Sequence, residues 1–258
     1  MCDIIKNRNK IWREILTEFK KTPWSAKETT DWFLKEAEMR VVDRRRLIEI
    51  LKSFYKHFIG AKDQNCVLDL GCGDGLITHE LLKIDDSISF TLIDGSVHML
   101  EKAKERLNRF ENTSFIKVSF QELSCGDRAY IGHSDFDLVF SSLAIHHLTM
   151  DEKRTLFDYI YSHLRVGGCF VNIDVILSPT EDLESWYLNL WREWMVDKQT
   201  VFGLKDDYEF TIKKYMEENH HNTISTLADQ LNALSDIGFG DVDCYYKHGI
   251  FAVYGGRK

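Results

Sequence analysis

The densest chemical signal in this chain is Val67-Leu68-Asp69-Leu70-Gly71-Cys72-Gly73-Asp74-Gly75, an apolar run entering a glycine-rich turn just ahead of a helical stretch from Leu76. Glycines at such a turn let the backbone take positive φ and approach a ligand where side chains would collide. The spacing is shorter than the dinucleotide fingerprint GxGxxG, and no Lys-Ser/Thr follows as in a P-loop, so a phosphate cradle is the weaker reading. A second apolar run, Thr91-Leu92-Ile93, ends in Asp94, with Gly95 and Ser96 behind it. A carboxylate there can accept from two vicinal hydroxyls, and an Asp before a helix can equally cap it. His146, His147 and Asp174 are the candidate proton acceptors. Adjacent histidines on an extended segment point opposite ways, and neither they nor His220-His221 show a spacing that demands an ion, so no metal site is expected. The six cysteines form no CxxC pair, which disfavours a disulfide framework and a zinc knuckle and suits a reducing cytoplasm.

These residues need a scaffold that gathers strand ends. From residue 66, apolar runs at 66–70, 89–93, 114–119, 136–141 and 168–176 alternate with helix-like segments at 77–82, 97–108, 152–163 and 226–237. Nearly continuous apolar strands separated by helices imply a parallel sheet covered on both faces. The runs 241–247 and 250–255 are joined too tightly for a crossover and should form an antiparallel hairpin. The expected fold is α/β: a Rossmann-like, doubly wound, mostly parallel sheet with a C-terminal antiparallel hairpin. Helical periodicity over 5–58, broken near 20–23 and 39–43, is assigned to an N-terminal helical lid (1–59), and residues 60–258 to the sheet domain. Segment 179–200 places Trp186, Leu190 and Trp194 on one helical stripe. With the polar connection that follows, it forms a helical insertion after the fifth strand, 179–222. Sites in open parallel sheets lie at the carboxyl ends of the strands, so residues 71–75, 94, 119, 142–146 and 174 should converge.

Composition limits the function. With 33 Lys+Arg against 41 Asp+Glu the net charge is −8, which argues mildly against general nucleic-acid binding. A 44% hydrophobic content supplies ample core material and excludes dominant disorder. No run approaches the ~18 apolar residues of a membrane span. Residues 1–16 lack the apolar core of a secretory signal, so a cytoplasmic location is expected.

In order and spacing, the glycine turn, the acid ending the second strand and the segments Asp135–His147 and Leu164–Phe170 resemble the motifs of the class I S-adenosylmethionine-dependent methyltransferases, over residues 60–258. The resemblance implies S-adenosyl-L-methionine as cofactor. It places Asp94, with Gly95 and Ser96, at the ribose hydroxyls, and Asp69, Gly71, Cys72 and Gly73 around the turn. Met99, with Val97 and Leu100, lies toward the adenine edge. Ser119 and Phe120 stand where the family usually offers an acid to the adenine amine, a departure from its pattern. Ser142 and Leu143 line the methionine part. The implied reaction is in-line transfer of the sulfonium methyl to a nucleophilic O, N or S atom of a small-molecule acceptor, with positioning and exclusion of water as the protein's main contribution.

The family commonly covers its acceptor with N-terminal helices and with elements inserted after the fifth strand. This makes Trp32, Phe33, Trp186 and Trp191 candidate acceptor contacts, suited to an apolar or cationic molecule. Trp32-Phe33, Asp43–Arg46 and the terminal Phe251–Lys258 also resemble small archaeal and bacterial methyltransferases. Some of these are similar to enzymes of tRNA wobble-uridine modification or to carboxy-S-adenosylmethionine synthases. Those readings are the alternative, and a non-catalytic cofactor-binding protein is a second one; the intact glycine turn argues against the latter. The oligomeric state is not legible.

Overall fold

The strands at the centre of the chain are apolar on both faces because helices cover both. In the computed structural model, which describes residues 19, 22–60, 64–125, 131, 135–202, 208–220 and 223–258, they form one seven-stranded sheet. The strands are β1 (Cys66–Leu70), β2 (Ser89–Asp94), β3 (Thr113–Lys117), β4 (Phe136–Ser142), β5 (Leu164–Val175), β6 (Gly240–His248) and β7 (Phe251–Arg257). Their order is β3-β2-β1-β4-β5-β7-β6, parallel through β5, with β7 antiparallel to both β5 and β6. The chain winds outward from β1 in one direction and from β4 in the other. The β1/β4 boundary is therefore a topological switch point, where a crevice opens beyond the strand ends. β7 approaches β5 closely because Gly255 has no side chain: a Cβ there would lie 2.0 Å from the Phe170 carbonyl oxygen.

The helices are α1 (Lys27–Arg40), α2 (Arg44–Phe58), α3 (Leu76–Leu82), α4 (Val97–Arg106), α5 (Phe120–Cys125), α6 (Met150–His163), α7 (Glu181–Phe202), α8 (Tyr208–His220) and α9 (Leu227–Ile237). The period-two alternation of strands assigns neighbouring residues to opposite faces. Val67, Leu92, Phe140 and Val253 pack with Leu47, Leu51 and Tyr55 of α2 and with Trp191 and Met195 of α7. Leu68, Ile93, Val139 and Ala252 pack with Leu156, Phe157 and Ile160 of α6 and with Leu234 of α9. Because α2 shares the first of these cores, the expected division at residue 59 is not a division of the packing. The break between α1 and α2 falls at Asp43, whose φ is +49°.

The stretch 179–222 holds two helices, α7 and α8, the second lying within the polar connection. α7 docks on the end of α1: the Trp191 indole N–H donates to the Arg40 carbonyl at 2.7 Å and that of Trp194 to the Met39 carbonyl at 3.0 Å. Each bond satisfies a carbonyl that a helix C-terminus leaves unpaired.

Candidate active site

The glycine turn is tied to the neighbouring strand. The Gly71 and Cys72 N–H groups both donate to the Ile93 carbonyl, at 2.8 and 2.9 Å. Gly71 has φ +69°, and a Cβ there would stand 2.5 Å from the Ala144 Cβ, so both conformation and space require glycine. Arg106 of α4 closes the turn from the side: its Nε donates to the Asp74 carbonyl at 2.9 Å and its guanidinium pairs with the Asp74 carboxylate. Beneath the turn, Asp69 is buried and accepts the Thr78 hydroxyl at 2.6 Å. Burial pushes the Asp69 carboxyl up to about 7, with lesser repulsion from Asp94 and Asp74, against the pull of Thr78.

Asp94 sits at the end of β2. One carboxylate oxygen accepts the Gly73 N–H at 2.9 Å and the other the Ser96 N–H at 2.7 Å. Burial pushes its carboxyl up to about 6 despite those two donors. Each oxygen accepts a single backbone N–H and so keeps a lone pair for a hydroxyl. Ser96 itself is buried and its hydroxyl receives the Met99 N–H as the cap of α4. It shapes the site from behind and is not on the cavity wall, and neither are Val97, which is exposed, and Leu100, which is in the core. Ser119 and Glu122 bond reciprocally, Ser119 N–H to the carboxylate at 2.6 Å and Glu122 N–H to the hydroxyl at 3.3 Å, which fixes the start of α5.

Above these strand ends lies a cavity of about 540 Å³. Asp69, Gly71, Cys72, Gly73, Asp94, Gly95, Met99, Ser119, Phe120, Ser142 and Leu143 all line it. A Cβ at Gly73 would have nothing nearer than the Met99 sulfur at 3.9 Å, so this glycine leaves open space, whereas one at Gly95 would strike the Phe19 ring at 2.5 Å. The far end is walled by Trp24, Phe33, His147, Leu148, Lys214 and Thr223.

Residues Ile145–His147 form a 3-10 turn, so the two imidazoles do not diverge as they would on an extended segment; their centroids lie 4.0 Å apart. His146 Nδ1 lies 2.5 Å from Asp174 Oδ1. Asp174 also accepts the Val175 N–H at 2.9 Å and the Asn172 amide at 3.3 Å. This dyad, a buried Asp174 and a partly buried His146, stands behind the wall, and neither member lines the cavity. His147 does line it, and its Nε2 accepts the Trp24 indole N–H at 2.9 Å. Burial, reinforced by the charges of His146 and Lys214, holds the His147 imidazole well below its usual range, so it is neutral. Among the described residues no group of three His, Cys, Asp or Glu side chains is placed to hold a metal.

Of the four aromatic side chains expected around an acceptor, only Phe33 lines the cavity. Trp191 is buried in the α1/α7 contact, Trp186 projects outward with 55% of its surface exposed, and Trp32 carries the Arg40 guanidinium at 4.1 Å from its ring centroid. The packing face of α7 is Leu188, Trp191 and Met195 with Trp194, so the expected stripe of Trp186, Leu190 and Trp194 is not the face that docks. Conversely, no local pattern in the sequence singles out Trp24, Arg106 or Lys214, and Phe19 stands out only as part of a helical periodicity. Their only common signal is three-dimensional, contact with the turn or the cavity.

Residues 68–170 match a family model described as a methyltransferase domain. The malonyl-[acyl-carrier protein] O-methyltransferase 1 of Ilyobacter polytropus is 32% identical over 109 residues, 42% of this chain and 37% of that protein. The carboxy-S-adenosyl-L-methionine synthase of Nautilia profundicola is 22% identical over 210 residues, 80% of each chain. An O-methyltransferase family protein from Burkholderia thailandensis superimposes with a TM-score of 0.61 at 13% identity, over 90% of this chain and 59% of that one, a likeness of fold. The chain thus matches little over a third of one relative's length and four-fifths of another's. Among the described residues no helix is long and apolar enough to cross a membrane.

Proposed function

This chain belongs to the class I S-adenosylmethionine-dependent methyltransferases through the domain at its centre, and from that premise we propose that it moves the sulfonium methyl to a nucleophilic O, N or S atom of a small-molecule acceptor. The observation that carries this reading is a single cavity running from the Asp94 carboxylate and the open face of Gly73 to the neutral His147. The residues present fit the cofactor: a buried carboxylate with free lone pairs for vicinal hydroxyls, a side-chain-free turn, and an apolar flank of Met99 and Phe120 for a flat ring.

Bound there, S-adenosylmethionine supplies a methyl group already activated by positive charge. The chain's own contribution is placement and dryness. Asp94 orients the sugar, the backbone of 71–75 fixes the tail, and Leu143, Leu148 and Phe33 exclude water from the transfer path. His147 is the candidate base for an acceptor that must lose a proton. With Nε2 accepting from Trp24, its proton sits on Nδ1, so Nε2 can take an acceptor proton only after the indole yields it. Asp174 orients His146 and acts through that ring.

A second reading, synthesis of a carboxylated form of the cofactor, is supported by the relatives of that name that align with this chain over most of both lengths. One experiment separates the readings. The full chain is incubated with methyl-labelled S-adenosylmethionine and fractionated cell extract. Label in a small-molecule fraction is expected; a carboxylated sulfonium detected by mass spectrometry favours the second reading, and label in RNA overturns the small-molecule acceptor.

A further inference from the structure

The cavity wall holds seven ionisable side chains, and they are not equally satisfied. At the turn, Asp74 pairs with Arg106, Asp69 accepts from Thr78, and Asp94 accepts two backbone N–H groups. Arg44 donates to Glu38 at 2.8 Å, and Glu217, largely exposed at the edge of the wall, lies 4.0 Å from Lys213. His147 is neutral. Lys214 is different. Its ammonium lies 5.6 Å from the Trp24 ring centroid and 5.1 Å from that of Trp32, with no carboxylate within 4 Å among the described residues. Two indole faces attract an ammonium without neutralising it.

The position of this cation is informative. Trp24 bridges Lys214 and His147: its ring faces the ammonium while its N–H reaches the imidazole. Lys214 therefore stands at the end of the cavity away from Asp94, beside the only imidazole on the wall. A cationic acceptor, which aromatic walls would otherwise suit, is disfavoured because Lys214 already occupies the indole faces such a molecule would use and would repel it. Phe33, Leu148 and the Trp24 ring make most of the surface beside it apolar, with Thr223 and the exposed Glu217 as the polar neighbours on the wall. One unmatched positive charge over an apolar wall fits a single negative charge on an apolar body, and a doubly charged phosphate would remain half-neutralised.

We propose that the acceptor is an apolar monocarboxylate, and that Lys214 is the specificity-determining residue that binds its carboxylate and so holds its body against Trp24 and Phe33, beside His147. This rests on the methyltransferase reading of the site. An occupied Lys214 would also remove a positive charge from the neighbourhood of His147, so substrate binding and the availability of the base are linked through one side chain.

The test uses the full chain saturated with the demethylated cofactor, S-adenosylhomocysteine, and titrates three probes by calorimetry: phenylacetate, the neutral phenylacetamide and phenyl phosphate. Phenylacetate should bind, at least about tenfold more tightly than the amide, as expected for a charge-assisted hydrogen bond. Lys214→Gln should abolish that preference and Lys214→Arg should retain it, while both leave the affinity for S-adenosylhomocysteine within about twofold. Equal binding of acid and amide, no binding of phenylacetate, or a preference for phenyl phosphate overturns the proposal. Loss of S-adenosylhomocysteine affinity in a correctly folded Lys214→Gln would assign Lys214 to the cofactor and equally overturn it. Failure of the unmodified chain to bind S-adenosylhomocysteine at all is a separate result, which removes the methyltransferase reading itself.

Discussion

The two ends of the cavity are built on different principles. The Asp94 end is made by main chain: three strand ends, a turn without side chains, and a carboxylate held by two backbone N–H groups. The His147 end is made by side chains from four distant places, Trp24 before α1, Phe33 within it, His147 after β4 and Lys214 on α8. The first is fixed once the sheet forms, because parallel pairing of β1 with β2 and β4 sets the height of every strand end. The second exists only when helices α1 and α8 are docked, and no hydrogen-bond ladder registers them. A family can keep the first and vary the second, which is why the cofactor of such a protein is easier to read than its acceptor.

This contrast can be tested from its strongest point to its weakest. Gly71→Val should do the most damage, since it places a β-branched residue at positive φ and drives its Cβ into Ala144. A loss of about 3 kcal/mol or more of stability, with cofactor binding lost alongside, is expected by denaturant unfolding and calorimetry. A variant with both properties unchanged would mean that the turn is not the rigid element described above.

Asp94→Ala should weaken S-adenosylhomocysteine binding by about 1–3 kcal/mol and abolish its pH dependence between 5 and 7. The sign follows from burial. An acid raised to about 6 is protonated in the empty fold below that pH, so affinity in the unmodified chain falls as the pH drops through 6. Stability runs the other way. Relative to an unfolded chain whose acid titrates near 3.8, the Asp94 contribution is full at lower pH and is lost as pH rises through about 6. Opposite pH trends in affinity and thermal midpoint are the expected signature.

Trp24→Phe keeps a ring over Lys214 but removes the donor to His147. It should leave cofactor affinity unchanged, free Nε2 and so change turnover several-fold, and move the acidic limb of the rate profile, as loss of one hydrogen bond of about 1 kcal/mol implies. An unaltered pH profile would separate His147 from proton transfer. Trp186→Ala should change nothing beyond about 0.5 kcal/mol in stability or twofold in rate, because that ring lies in solvent. A large effect would return α7 to the acceptor wall.

The same division explains what the sequence could and could not convey. Strand runs, the reversal of winding, the terminal hairpin, the glycine turn and Asp94 are all local patterns, and each is found where expected. Ser96 was expected at the cofactor for its place beside Asp94, but its hydroxyl serves the helix that Asp94 introduces, as Ser before a helix commonly does. Trp191 and Trp186 are singled out by their place after the fifth strand, which does not say which neighbour each ring meets; one is a helix-end donor and the other a surface ring. Trp24 and Lys214 lie 190 positions apart with no pattern between them, and only the docking of α8 over the N-terminal segment brings them together.

One buried cation braces the His147 end. Lys153 of α6 has no exposed surface, and its ammonium donates to the Leu148 carbonyl at 2.5 Å, to the Thr223 carbonyl and to the Ser225 hydroxyl at 3.2 Å. Burial draws it down to about 8. Leu148 and Thr223 both border the cavity, one reached from the floor and the other from the cover, so a single side chain rivets the roof of the chamber to its base at one corner.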